Sequence, residues 1–301
     1  RRPSDPRLQS ITPEEAVNWY LRNRRNELAE LSLYTHRSSL SHFIKWTNIV
    51  EIDDLNELDG RKLQTYFDWR VEEAPDSVDE LAPKSEKTQI DITRKFVEFC
   101  ESIDAVPPRL HQKIPSFRIK KADEVRDELL EMDRVEEILA YLETYHYASR
   151  DHVIWTLLAE FGPRIGALLS LDVEDFDRDR EALRLQYRPE NGTSLKNDID
   201  SERYVSLIRP DTVDILESYL ESQRVEVSDS YSRRPLLTTH NGRIGSSTIR
   251  KIVYRWSCPN TLGNDCDHPD TMTQSNAWRC PKNACPHMVR RGVITHLLRQ
   301  D

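Results

Sequence analysis

A basic segment with three prolines, between Val106 and Lys121, interrupts the helical periodicity of this sequence and divides it into two parts. Proline fixes φ and lacks an amide donor, so such a segment does not continue a helix. The 301 residues are enough for two hydrophobic cores. The sequence therefore predicts a flexible start over 1–11, a first domain over 12–105, a basic linker over 106–123 and a second domain over 124–301.

The first domain is predicted to be a bundle of helices. Thr12-Pro-Glu-Glu15 has the pattern of a capping box with proline at the first helical position, so it indicates where the first helix begins. Apolar residues then recur at helical spacing in three further segments joined by short polar loops, which favours a compact bundle. These segments are Ser32–Trp46, the stretch that begins near Leu58, and Lys84–Ser102.

The second domain is predicted to combine helices with a small antiparallel sheet. Alternation in Ala182–Tyr187 and Arg203–Ile208 indicates two strands, and the polar stretch between them contains Asn191-Gly192 and Lys196. The predicted helices of this domain are Asp133–Leu142, Arg150–Phe161, Thr212–Arg224, Ser246–Trp256 and the segment that begins near His287. The predicted fold class is mainly α, with a helical bundle followed by an α+β domain.

The last of these helices begins with a histidine and an arginine three residues apart, His287 and Arg290. On a helix the two side chains project from one face, so an imidazole and a guanidinium can converge on one anionic group such as a phosphate. By itself, this pattern is more often a solvated first turn.

Four of the five cysteines lie in one segment: Cys258, Cys266, Cys280 and Cys285. Cys100 stands alone in the first domain, where we expect it to be buried as a small apolar residue. Clustered thiolates in a cytoplasmic protein suit a tetrahedral structural zinc ion before disulfides. The sequence thus predicts a zinc-binding, cysteine-rich insertion over 258–285, with His268 as an alternative ligand and free thiols as the alternative to a metal.

The formal net charge of −9, taken alone, argues against a nucleic-acid partner, because DNA binding draws on clustered positive charge. Basic residues nevertheless collect in the predicted linker and on the outer faces of predicted helices. We predict that these residues contact a DNA backbone, with ordinary solvated charge as the alternative: Arg37, Lys45, Lys113, Lys120, Lys121, Arg250, Lys251 and Arg255. The acidic composition of the rest of the chain resembles that of proteins from salt-loving organisms.

No apolar run approaches the length of a membrane span, and the first residues lack the apolar segment of a signal peptide. We therefore expect a cytoplasmic protein without membrane contact.

Two arginine motifs occur far apart in the sequence. They are Phe161-Gly-Pro-Arg164-Ile-Gly-Ala-Leu-Leu-Ser-Leu-Asp-Val-Glu-Asp-Phe176 and His287-Met-Val-Arg290-Arg-Gly-Val-Ile-Thr-His-Leu-Leu298. Together they resemble the tyrosine recombinase, or phage integrase, family, and most of all the integrases of haloarchaea. The resemblance covers nearly the whole chain and implies a SAM-like core-binding domain followed by a catalytic domain. It also implies double-stranded DNA as the partner, a tetramer on DNA and no cofactor for catalysis.

The chemistry that this resemblance implies is site-specific cleavage and rejoining of DNA through a covalent 3′-phosphotyrosine. Arg164 and Arg290 match the family's arginine pair, whose guanidinium groups hold the nonbridging oxygens of the phosphate. His287 matches the position that assists proton transfer at the nucleophile. Lys196 is our choice for the lysine that protonates the leaving 5′ oxygen, and an ordinary turn lysine is the alternative.

Two positions depart from the family pattern. The family usually has an acidic residue three positions after the first arginine, whereas this sequence has Ala167, so other groups must orient the site. The second histidine or tryptophan and the nucleophilic tyrosine are expected beyond residue 301, since no tyrosine follows Tyr254. His296 cannot replace that histidine because it lies on roughly the opposite helix face from His287, which favours a packing role.

The leading hypothesis is therefore a DNA strand-exchange enzyme. A noncatalytic DNA-binding relative is the first alternative, because it also accounts for the missing tyrosine. The second alternative is a zinc-stabilised interaction protein with no DNA role.

Overall fold

The computed structural model describes residues 7–72, 81–116, 128–193, 195–196, 198–264, 266 and 276–300. The chain divides into two compact units, residues 1–126 and 127–301, and each unit has its own hydrophobic core. Three residues with predicted roles, Lys120, Lys121 and His268, lie outside the described residues.

Among the described residues, four α-helices form the first unit: α1 (Pro13–Arg24), α2 (Glu30–Ile49), α3 (Gly60–Glu72) and α4 (Pro83–Ser102). The predicted capping box is present, since the Thr12 hydroxyl accepts from the Glu15 amide and the Glu15 carboxylate accepts from the Thr12 amide. Buried aromatic rings fill the centre, where Phe43 is edge-on to Tyr66 and Phe96 at centroid distances of 5.3 and 5.5 Å. Pairs of this geometry add to the stabilisation from burial.

Residues 106–116 differ from the predicted extended linker. Val106, Leu110 and Ile114 are buried in the core of the first unit, and a 3-10 turn covers Leu110–Lys113. These apolar side chains recur at every fourth position, so a compact turn can bury all three in spite of the prolines. The first unit therefore continues through these residues.

Part of the predicted flexible start is also held in place. The Gln9 amide donates to Asp104 O at 2.7 Å, and the Leu55 amide donates to Ile11 O at 3.0 Å. The residues before α1 are thus tied to the end of α4 and to the loop before α3.

The described part of the second unit contains six α-helices and two small antiparallel sheets. The helices are α5 (Met132–His146), α6 (Arg150–Phe161), α7 (Ile165–Ser170), α8 (Thr212–Ser218, continued by a π-helical turn over Tyr219–Gln223), α9 (Ser246–Ser257) and α10 (Pro286–Gln300). The strands are β1 (Phe176–Asp177), β2 (Ala182–Leu185), β3 (Arg203–Ser206), β4 (Thr238–Thr239) and β5 (Gly242–Arg243). The predicted fold class, mainly α with a small antiparallel sheet, is confirmed. None of the described helices is long and apolar enough to cross a membrane.

A third strand, β1, joins the predicted pair, and the order in the sheet is β1-β2-β3. Leu183 pairs with Val205 and Leu185 pairs with Arg203, and both leucines are buried. Because directly paired residues lie on the same face of a sheet, this face covers the core of the unit. The sequence does not predict β1, since two residues are too few to show alternation.

Helix α6 forms the centre of the second unit, where every residue from His152 to Glu160 is buried. Helix α10 packs against α6, and the Leu130 amide donates to Met288 O at 3.2 Å. The C-terminal end of α6 consequently lies beside α10, which brings the two arginine motifs of the sequence together.

Candidate active site

Arg290 is anchored to the end of α6 by a backbone carbonyl. Its guanidinium donates a hydrogen bond to Gly162 O, and Gly162 caps α6 in the left-handed conformation with φ of 54°. A Cβ at this position would lie 3.3 Å from Arg290 O and 3.4 Å from Ile294 Cγ1. Glycine thus permits both the backbone conformation and the close approach of α10. The half-buried Arg290 side chain is held against the segment that carries Arg164.

Arg164 lies two residues beyond this cap, immediately before α7. Pro163 is buried and Arg164 is exposed. The Arg164 carbonyl accepts from the Ala167 and Leu168 amides at 2.9 and 3.3 Å. The Arg164 side chain is therefore presented to solvent from a backbone that is fixed on both sides.

Positive charge is concentrated around Arg290. Burial lowers the pKa of its guanidinium, and the charges of Arg164 and Arg203 lower it further. The ion pairs among the described residues include none of these three arginines, whereas Arg188 and Arg243 are paired with carboxylates. Like charges that are brought together without a counter-charge favour the binding of an anion.

The sequence prediction does not include Arg203. In the sequence this residue is the polar first position of an alternating strand, which any solvated arginine could occupy. Its pairing with Leu185 places it on the face of the sheet that covers the core. Only the register of the sheet shows this, and register is not readable from the strand alone.

Lys196 lies on the exposed turn between β2 and β3. The Ser201 hydroxyl donates to Lys196 O, and the Arg203 guanidinium donates to Ser201 O at 3.0 Å. Just after β2, the Tyr187 amide donates to a carboxylate oxygen of Glu202, which precedes β3, at 2.9 Å. The Lys196 ammonium itself forms no hydrogen bond or ion pair with another described residue, so it can contact a ligand.

A network of three arginines and three aspartates supports the same turn. We call it the Asp–Arg network; its members are Asp172, Asp175, Arg188, Asp229, Arg233 and Arg243. Arg188, three residues after β2, pairs with Asp175 at 2.5 Å and with Asp172 at 3.1 Å. Both aspartates follow α7 closely in the chain, so these bonds connect the turn to the segment that carries Arg164.

Arg233 connects residues 191 and 193 of the turn to the Asp–Arg network. It donates to Thr193 Oγ1 at 2.9 Å and to Asn191 O at 2.6 Å, and it pairs with Asp229 at 2.9 Å. Burial opposes the ionisation of Asp229, but hydrogen bonds from the Arg243 guanidinium and the Arg233 amide outweigh it and lower its pKa to about 2. Asp229 is therefore a carboxylate at neutral pH and holds two arginines in place.

His287 is exposed and is the second residue of α10, one turn before Arg290. The helix opens with Pro286, which suits the first helical position. The spacing of three residues places His287 and Arg290 on one face of α10. His296 is half-buried and lines a cavity of about 330 Å³ beside Met132 and Leu297, away from His287.

The predicted DNA-contacting residues that the structure describes lie at the surface in both units, with one exception. Arg37 lines a cavity of about 400 Å³ together with Arg22 and Arg25. Other exposed members of the predicted set are Lys45, Lys113, Arg250 and Lys251. Arg255 is half-buried, with its guanidinium 4.6 Å from the centroid of the adjacent indole ring and 3.9 Å from the Asp151 carboxylate. It is therefore less accessible than the prediction assumed.

Three of the four predicted zinc ligands lie in one small cluster: Cys258, Cys266 and Cys280. The Sγ atoms of Cys266 and Cys280 are 3.8 Å apart, and Cys285 is half-buried at the start of α10. The described residues contain no group of three or more His, Cys, Asp or Glu side chains arranged to hold a metal ion. The described residues therefore show no metal site, and zinc binding stays a prediction.

This chain has the fold of the tyrosine recombinases and integrases. Lambda integrase residues 75–356, in a dimer bound to a COC′ core site, are 10% identical, with 97% of this chain and 88% of that chain covered at a TM-score of 0.64. The Tn1549 transposon integrase in complex with circular intermediate DNA is 11% identical. The match covers 97% of this chain and 88% of that chain, at a TM-score of 0.64. The XerH site-specific recombinase bound to a palindromic difH substrate is 14% identical. The match covers 94% of this chain and 73% of that chain, at a TM-score of 0.61. These likenesses confirm the predicted resemblance at the level of the fold.

The sequence matches no family model and no curated protein. The N-terminal domain of a phage integrase/site-specific recombinase from Haloarcula marismortui is 28% identical over 36% of this chain, but its TM-score of 0.32 carries no weight for the fold.

Proposed function

We propose that this chain, which has the fold of the tyrosine recombinases, is a site-specific DNA recombinase or integrase. The observation that carries the proposal is the pairing of Arg164 with Arg290 at the end of α6. Both are cationic, neither forms an ion pair with a described residue, and burial together with the charge of Arg164 lowers the pKa of Arg290. A phosphodiester is an anion that two guanidinium groups can hold with parallel hydrogen bonds.

Arg164 and Arg290 bind the nonbridging oxygens of the scissile phosphate. A guanidinium remains charged throughout the reaction, so it stabilises the negative charge that builds on these oxygens in the transition state. The hydrogen bond to Gly162 O holds Arg290 before DNA arrives. Little reorganisation is then needed at the moment of reaction.

His287 and Lys196 move protons in this proposal. A tyrosine oxygen attacks the phosphorus and gives up its proton with the help of His287, the bond from phosphorus to the 5′ oxygen breaks, and Lys196 protonates that oxygen. The product is a 3′-phosphotyrosine and a free 5′ hydroxyl, and the reverse sequence rejoins DNA. The tyrosine is proposed to follow residue 301, as the family resemblance implies.

We propose double-stranded DNA as the partner and an assembly of several copies on it. Among the structural neighbours, lambda integrase forms a dimer on a core site and a tetramer on a Holliday junction. We propose that the exposed basic residues Lys45, Lys113, Arg250 and Lys251 contact the DNA backbone. Such contacts add affinity that falls as salt is added.

We also retain a structural zinc ion as a proposal. Zinc with tetrahedral thiolate bonds of about 2.3 Å separates neighbouring sulfur atoms by about 3.8 Å. The Sγ atoms of Cys266 and Cys280 are 3.8 Å apart, far beyond the length of a disulfide bond. Cys258 lies in the same cluster, and Cys285 or His268 is proposed as the fourth ligand. Zinc at this place would fix the start of α10 and with it His287.

Covalent capture on a nicked suicide duplex tests the proposed enzyme. With the complete gene product, we expect Arg290→Ala to abolish the covalent protein–DNA complex and to leave DNA binding largely intact. Arg299→Ala is the matched control, because it removes the same charge from an exposed position farther along α10. DNA binding without a covalent complex in the unaltered protein would favour a noncatalytic relative. Absence of salt-sensitive DNA binding would overturn the proposal.

A further inference from the structure

β3 begins with an arginine on the inner face of its sheet. Arg203 pairs directly with Leu185, and the next inward pair is Val205 with Leu183. Leu183 and Leu185 are 0% and 1% exposed, so the face that they share with Arg203 covers the core. Arg203 itself is exposed. It therefore extends from the edge of this face, where the core ends and solvent begins.

Arg184, on β2, provides the contrast within the same sheet. It pairs with Tyr204 on the opposite, solvent-facing side, and its guanidinium lies 5.8 Å from the centroid of the Tyr204 ring. Two arginines of one small sheet thus point in opposite directions. Of the two, it is the charge of the inward one, Arg203, that contributes to the lowered pKa of Arg290.

The single described hydrogen bond of the Arg203 guanidinium goes to a backbone carbonyl, Ser201 O, at 3.0 Å. A carbonyl does not neutralise the charge, and no carboxylate among the described residues pairs with Arg203, Arg164 or Arg290. Arg203 on β3, Arg164 before α7 and Arg290 on α10 are therefore three guanidinium groups for which the described residues supply no carboxylate as a counter-charge. The mutual repulsion of such a group is relieved when an anion binds among its members.

We propose that Arg203 is a third phosphate-binding residue, which contacts a DNA phosphate together with Arg164 and Arg290. This inference rests on the proposed function for the identity of the anion, a phosphodiester; the place of Arg203 is argued from the register of the sheet and from its bond to a carbonyl rather than to a carboxylate. Arg203 also holds the turn that carries Lys196, since the Ser201 hydroxyl donates to Lys196 O. The test must separate a direct contact from that positioning role.

The experiment compares Arg203→Ala, Arg203→Lys and the control Arg184→Ala in the complete gene product. Binding to a duplex that contains the recombination site, or to unrelated duplex DNA, is measured over a range of salt concentrations. Each phosphate contact contributes about 0.9 to the slope of log K against log salt concentration. Arg203→Ala should lower the slope by about 0.9, which is roughly a threefold smaller loss of affinity between 50 and 200 mM salt. Arg203→Lys keeps the charge and should keep the slope, as should Arg184→Ala.

A slope for Arg203→Ala equal to that of Arg184→Ala would overturn the inference and would leave the proposed function intact. A turn-positioning role alone also predicts an unchanged slope, with effects confined to cleavage and to thermal stability. Inorganic phosphate provides the second measurement, because it should raise the melting temperature of the unaltered protein and of Arg184→Ala more than that of Arg203→Ala. If phosphate gives this result but DNA does not bind, the proposed function fails and the anion site remains. Equal stabilisation of all variants by phosphate would remove Arg203 from the site.

Discussion

Gly292 determines how closely α10 approaches the rest of the second unit. It is buried in the helix, and a Cβ at this position would lie 1.8 Å from Leu130 O and 2.9 Å from Leu130 C. Carbon and carbonyl oxygen approach no closer than about 3.3 Å in even the tightest favourable contacts. Gly292→Ala must therefore separate α10 from the Leu130 segment by about 1.5 Å. The obstacle is backbone, so no side-chain rotation can relieve it.

Two effects of opposite sign decide the outcome of Gly292→Ala. Alanine favours a helix interior over glycine by about 1 kcal/mol, which alone would stabilise the protein. Overpacking a core costs about 1–3 kcal/mol, and the hydrogen bond from the Leu130 amide to Met288 O, about 1 kcal/mol, is strained by the same movement. We therefore expect a net loss of about 1–3 kcal/mol. For a unit of this size such a loss lowers the melting temperature by several degrees.

Urea unfolding of the variant, followed by circular dichroism, measures this loss. Gly245→Ala is the control in the same unit, because its Cβ would meet nothing nearer than Ser247 Oγ at 3.9 Å and its φ is −92°. It should change stability by less than about 1 kcal/mol. The covalent-capture yield should also fall for Gly292→Ala, since Arg290 lies two residues before it on α10. A Gly292→Ala protein that is as stable as the unaltered chain, or more stable, would refute the assigned contact.

Three further predictions concern the supports of the site. The pKa of Asp229 is lowered to about 2, so this carboxylate stabilises the folded protein fully above its ordinary pKa near 4, and the stabilisation is lost as pH falls toward 2. Asp229→Asn should lower the free energy of unfolding by about 2 kcal/mol at pH 7. The variant should also show a flatter fall in stability with acid when unfolding is measured over a range of pH. Gly162→Ala should cost about 1–2 kcal/mol because φ is positive. Capture yield should fall further than unfolding measurements explain, because a backbone shift at residue 162 also moves the carbonyl that accepts from Arg290. If zinc is bound, chelation should lower the melting temperature of the unaltered protein but not that of Cys280→Ser; no metal by elemental analysis and equal melting with and without chelator would refute this.

The helices and their order could be predicted from the sequence because each carries its own local signal. The Thr12 capping box and the apolar periodicity of α4 depend only on neighbouring residues, and both are present in the structure. Residues 106–116 show the limit of this reasoning. Their prolines and positive charges favour a linker, whereas the burial of Leu110 and Ile114 depends on a core that is formed by distant helices.

The supports of the candidate site could not be predicted for a related reason. Asp172 and Asp229 are ordinary polar loop residues in the sequence, and they become ion-pair partners only when the second unit folds. Arg203 likewise acquires its place through the register of β2 and β3. Arg164 and Arg290 were predicted because two motifs resemble a known family, not because spacing alone brings them together. Electrostatic pairing between distant segments leaves no periodic signal in a sequence.

The position where the family usually carries an acidic residue explains how this site keeps its charge. Ala167 is half-buried and packs against the core of the second unit, so it offers Arg290 no acceptor. Gly162 O takes that place, and a carbonyl orients a guanidinium while neutralising much less of its charge than a carboxylate does. Without a carboxylate, the arginines repel one another: burial lowers the pKa of Arg290 most, and the charges of Arg164 and Arg203 lower it further. We expect a bound phosphate to relieve that repulsion, so alanine in place of an acidic residue at position 167 should strengthen the preference of the proposed site for an anion.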